Sequence, residues 1–221
     1  MTRTVALIAS VVILAACSVG SDADRTRSVN ASALYAYPFD DLEDWVSYSD
    51  AVVVATVTSV ERIAPGPEEA DAVARGEGVL VSRLVTIEVE QVLWHGSTQE
   101  VPPKLTFTTD GWVLRNFEEV PFGNSGEVRV EIGGQYLLAL EAAGDFGTIR
   151  RGVLPIEPDG HVSSAGRTDE AAAQLDGLPL DEVAAKLIST EPKAVADANR
   201  HLDPEDRYRE MVRMSRATPG G

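Results

Sequence analysis

The sequence predicts a mainly β fold with helical additions: an antiparallel barrel of about six strands followed by C-terminal helices. Three observations carry that expectation. Residues 51–60, Ala-Val-Val-Val-Ala-Thr-Val-Thr-Ser-Val, are dense in β-branched side chains and hold neither Gly nor Pro. Such side chains crowd a helical turn but pack well on a pleated surface. Between Leu84 and Leu93, Val85, Ile87 and Val89 alternate with Thr86, Glu88 and Glu90, which is the period of a strand with one buried face. After Gly166 the period lengthens, and Leu180, Val183, Ala184, Leu187 and Ile188 recur at helical spacing. No helical pattern separates one strand from the next, so the strands pair antiparallel.

At the start of the chain, Arg3 precedes an apolar run from Val5 to Leu14, which ends in Leu14-Ala15-Ala16-Cys17. A positive start, a short apolar centre and small residues at a cleavage point make up a secretory signal. The centre is shorter than the roughly 20 residues that span a bilayer core. The Leu-Ala-Ala-Cys ending resembles a bacterial lipobox. That resemblance implies cleavage before Cys17, a diacylglyceryl thioether on its sulfur, and a protein held on the extracytoplasmic face of the cell membrane. Cleavage as an ordinary secreted protein and retention as an uncleaved anchor are the rival readings. On the lipobox reading, residues 1–16 are signal peptide and 17–33 a lipidated, flexible, polar tether.

Tyr35 to Phe39 is aromatic and breaks at Pro38. Asp40 or Asp41 then caps a short helix with Leu42, Trp45 and Val46 on one face. Trp45 reads as a plug at one end of the β core. The strand from Ala51 is apolar on both faces at first and turns one face to solvent after Thr56. Pro65 to Gly78 reads as a mobile acidic loop. The alternation of the next strand slips at Gln91-Val92-Leu93, as an extra residue would cause, and Trp94-His95-Gly96 turns the chain.

Leu105 to Thr108 is a short third strand, and Pro102 and Pro103 put its start at a sheet edge. Gly111 to Gly126 reads as an irregular apolar loop. Its Trp112, Phe117 and Phe122 are either a partner-binding surface or a lid of core residues. Gly133-Gly134 turns into a strand at Tyr136 to Leu140, Gly144 to Gly147 makes a hairpin, and Pro158-Asp159-Gly160 makes a last one. The barrel domain thus runs over 34–166 with its N-terminal helix, and 167–221 is a helical extension. In that extension Asp203-Pro204 starts a final helix.

Three stretches together, Ser49 to Val57, Val89 to Gly96 and Gly134 to Leu140, resemble the skeleton of netrin-like and metalloproteinase-inhibitor-like OB barrels. They also resemble uncharacterised envelope proteins of high-GC bacteria. The resemblance implies an OB-like barrel. It does not carry the inhibitors' zinc chelation, which uses a free N-terminal cysteine in a disulfide-stapled domain. Cys17 is the single cysteine here.

Without residues 1–16, whose one charged side chain is Arg3, 18 basic residues face 35 acidic ones, a formal charge of −17. Such a surface repels phosphate backbones, so nucleic acid is not an expected partner. His95, His161 and His201 lack ligands at metal-site spacing, and no nucleophile elbow or phosphate loop is present. No cofactor is expected. The first expectation is therefore a membrane-anchored binding or scaffolding module with an envelope protein as partner. The second is an envelope hydrolase whose site assembles from distant residues, with His95 or His161 meeting a serine or carboxylate in a cleft.

Overall fold

The computed structural model describes residues 29–31, 37–115, 118–124, 127–143 and 145–217; residues 1–16, expected from the sequence to be a signal peptide, Cys17 and Phe117 lie outside them. Its centre is a six-stranded antiparallel sheet of β2 (Ala51–Arg62), β3 (Val79–His95), β4 (Lys104–Arg115), β5 (Glu118–Asn124), β6 (Gln135–Ala143) and β7 (Asp145–Pro155). A short β1 (Val29–Ala31) adds in parallel to β5, giving the order β1-β5-β4-β3-β2-β6-β7. The sheet curls into a half-barrel. Among the described residues no ladder closes β7 onto β4, although the two strands approach each other across the curl.

β2 sits in the middle and is apolar on both faces because both are covered. Val53, Ala55 and Val57 join Val85, Ile87, Leu105, Phe107, Leu138 and Leu140 on the inner face. Val52 and Val54 join Leu137, Ala139 and Leu154 on the outer face, where the helices pack. Beyond Val57 the strand becomes exposed. Burying an aliphatic side chain of this size contributes about 1.5–3 kcal/mol.

The curl comes from bulges. Pairing of β2 with β3 shifts between Val52 and Val53, between Val54 and Ala55, and between Val57 and Ser59. The first two shifts leave Leu93 and Glu90 of β3 without a direct partner, close to where the sequence alternation slips. Each extra residue bends its strand and increases the local twist.

The outer face is covered by α1 (Leu42–Tyr48), α3 (Glu170–Leu175) and α4 (Leu180–Ser189), with α5 (Ala194–Ala198) and α6 (Pro204–Ala217) against α1. Asp41 caps α1 by accepting from the Asp44 N–H at 2.7 Å, and Asp203 accepts from the Asp206 N–H at 2.9 Å where α6 begins. Trp45 is fully buried, stacked on Phe39 with ring centroids 5.3 Å apart.

Three segments differ from the sequence expectation. Within Pro65–Gly78 the chain forms α2 (Pro67–Ala74) rather than a mobile loop. Its proline stands at the first helical turn, Gly66 donates to Glu69 Oε2 at 2.7 Å, and Val73 is buried against Val79, Val81 and Leu114. Residues that suggest a loop were start and stop signals at helix ends. Within Gly111–Gly126 the chain forms the end of β4 and all of β5 rather than an irregular loop. Gly111 is the extra residue opposite the Val81/Ser82 step. A Cβ there would lie 2.5 Å from the Val81 carbonyl oxygen, so only glycine permits the close approach. Pro121 is tolerated because, among the described residues, the pairing of β1 with β5 begins at Phe122. The third difference is β1 itself, in a stretch read as tether. A three-residue edge pair needs backbone groups alone and leaves no side-chain period to read.

Candidate functional site

The longest strand outruns its neighbour. β3 pairs with β4 from Val79 to Glu88 but with β2 as far as His95. The last bond on the β4 side runs from the Val89 N–H to the Pro103 carbonyl at 2.8 Å. Pro102 and Pro103 lack the N–H groups that would continue the ladder. Among the described residues no backbone hydrogen bond joins 91–95 to the loop 97–102. The end of β3 is therefore a strand edge paired on one side.

Beside this edge lies an open groove of about 370 Å³, formed by Val92, Leu93, Trp94, His95 and Ile188. Helix α4 buries Val183 and Leu187 against the core and leaves Ile188 71% exposed. Val92 is 42% exposed. Trp94 is half-buried beneath the Arg200 guanidinium, 5.3 Å from its ring centroid, and Arg200 Nη1 donates to the Ser49 carbonyl at 3.3 Å. At Gly96 a Cβ would meet the Trp94 ring at 2.1 Å, so this glycine lets the ring fold back over the turn. Exposed aliphatic groups beside a strand end that, among the described residues, has no strand on its β4 side suit an extended polypeptide, which would add to the strand edge.

A buried charge network fixes the helical layer behind the groove. Asp50 and Arg207 are 1% and 2% exposed and form an ion pair. Asp50 Oδ2 also accepts from the Ala142 N–H at 2.8 Å, while Arg207 donates to the carbonyls of Leu202 at 2.8 Å and Arg200 at 3.0 Å. Lys193 pairs with the buried carboxylate of Asp44. Burial pulls the Lys193 ammonium down, but the hydrogen bond and charge of Asp44 outweigh it and hold it above the ordinary lysine value. Tyr37 donates to Glu141 Oε2 at 2.7 Å. Burial raises the Glu141 carboxyl, partly offset by this bond, and burial and Glu141 together raise the Tyr37 phenol. A second buried guanidinium, Arg83, donates to the Asp110 and Val130 carbonyls and plugs the inner face; burial lowers it to about 10, so it is charged at neutral pH.

Of the aromatic residues singled out in the sequence, Trp112 and Phe122 lie on opposite faces of the β4–β5 hairpin. Trp112 pairs with Val81 and faces inward, half-buried, with the Arg129 guanidinium 5.1 Å from its ring centroid. Phe122 is half-buried on the outer face. Phe117 and Cys17 lie outside the described residues. His161 Nδ1 lies 3.2 Å from Asp159 Oδ1, but across a turn and with both side chains exposed. His95 lines the open groove. Among the described residues no group of three or more His, Cys, Asp or Glu is placed to hold a metal ion, and no helix is long and apolar enough to cross a membrane.

From the sequence, Trp94-His95-Gly96 is expected to be a turn and Ile188 is one of the apolar residues at helical spacing, whereas the structure places Trp94 and His95 in β3 and leaves Ile188 exposed. The signal that marks the groove is the Pro-Pro pair, which predicts that β4 starts late. The Asp50–Arg207 pair had no sequence signal, since 157 positions separate the partners. Comparison of the chain with protein-family models, curated proteins and solved structures finds no match in any of the three.

Proposed function

We propose that this protein is a lipid-anchored, extracytoplasmic binding module of a bacterial cell envelope, which takes an extended segment of a partner protein along the β3 edge. The observation that carries the reading is the unpaired edge of residues 91–95 beside the exposed Val92 and Ile188. Backbone bonds to the edge supply affinity, and the groove selects side chains at alternate positions. Anchoring rests on the Leu-Ala-Ala-Cys motif ending at Cys17. An OB-like identity for the half-barrel belongs to the same proposal. It is supported by the topology, in which the first strand of the β2–β3–β4 meander also pairs with β6, and β7 pairs with β6 and approaches β4.

The test places a photo-crosslinking amino acid at position 92 in intact cells, in the wild-type background and with Cys17→Ala. The expected result is one recurrent envelope protein, lost with Ile188→Lys and lost when the anchor is removed. Cross-links confined to the chain itself would refute the docking reading. Cys17→Ala remaining in the membrane fraction would refute the anchor.

A further inference from the structure

The outer face of the β3–β4–β5 end carries an apolar row. Cross-strand partners share a face, so Leu80, Val113 and Val120, paired in succession, point the same way, and Phe122 follows two residues along β5. Leu80 is 42% exposed and the other three are half-buried. The opposite face of the same strands is closed by α2, whose Val73 packs on Val79, Val81 and Leu114.

The three-residue β1 lies beside this row. Val29 pairs with Phe122, and eleven residues separate it from Cys17. Fully extended, that stretch reaches about 40 Å. A lipid on Cys17 therefore holds the hairpin end within about 40 Å of the bilayer. The acidic body is repelled by anionic head groups, which leaves apolar contact as the favourable kind.

We propose that the row Leu80, Val113, Val120 and Phe122 rests against the lipid bilayer to which Cys17 is anchored, so that the β3–β4–β5 end is the membrane-facing side of the domain. The inference rests on the lipid-anchor reading. It assigns the row to lipid, and the groove of Val92 and Ile188 to the protein partner.

Because Cys17 is the only cysteine and is acylated when anchored, an introduced cysteine is a unique thiol. Full-length lipidated protein carrying Leu80→Cys or Val113→Cys is labelled with an environment-sensitive fluorophore and reconstituted in phosphatidylcholine vesicles. Ala173→Cys, exposed on α3, is the comparison. The expected result is a blue shift at positions 80 and 113 with emission lost to acyl-brominated lipid, and neither at 173. Vesicle-bound protein with identical spectra at all three positions would overturn the proposal while leaving the anchor intact. A shift at 80 and 113 only in native membranes, absent in protein-free vesicles, would assign the row to an envelope protein and overturn the lipid contact. Protein that carries no acyl chain and does not float with vesicles would overturn the anchor reading and this one with it.

Discussion

Asp50→Ala tests whether the buried network holds the helical layer. The substitution leaves the Arg207 guanidinium, 2% exposed, without its counter-charge and removes the acceptor of the Ala142 N–H. Breaking one partner of a buried pair costs about 3–5 kcal/mol. Arg207 keeps its carbonyl partners at Leu202 and Arg200, so the lower end applies and about 3 kcal/mol is expected. That is a large share of the roughly 5–15 kcal/mol by which domains are stable. Asp50→Asn retains an acceptor for Ala142 and is expected to cost about 2 kcal/mol, near the value of one charge-assisted hydrogen bond. The double variant Asp50→Asn/Arg207→Met removes both charges and is expected to recover most of the loss. Urea denaturation followed by far-ultraviolet circular dichroism gives the midpoints at unchanged slope. An Asp50→Ala protein within about 0.5 kcal/mol of wild type, the range of ordinary surface substitutions, would refute the assignment.

Two further outcomes follow from the packing and the charges. Gly111→Ala drives a Cβ to 2.5 Å from the Val81 carbonyl; the cost of such overpacking is about 1–3 kcal/mol, read as a fall in melting temperature of about 2–4 °C per kcal/mol, and an unchanged melting point would remove the bulge argument. The Lys193 ammonium sits above its ordinary value of 10.5 in the folded state, so its contribution is complete below that pH and is lost as pH rises through the higher folded value. Thermal melts between about pH 9 and about pH 12 should show an alkaline decline that is shallower in Lys193→Met. Parallel curves for the two proteins would take Asp44 and Lys193 out of the account.

The sequence by itself determined the local features. Residues 51–60 form a strand because β-branched side chains leave few alternatives, Asp40 or Asp41 and, later, Asp203 start helices because their carboxylates satisfy free N–H groups, and the slip at Gln91–Leu93 marks a bend. Each depends on neighbours within a few positions. Gly111, Pro121 and Pro67 misled because the same residue type ends one element and serves inside or at the start of another, and only the partner strand or the packed face decides which. The late start of β4 was readable in Pro102-Pro103, yet it became a groove only once α4 laid Ile188 beside the β3 edge. Asp50 and Arg207, Lys193 and Asp44, and the row from Leu80 to Phe122 were decided by tertiary structure alone. Their energies come from burial and from distances between residues remote in the chain, which no local period encodes.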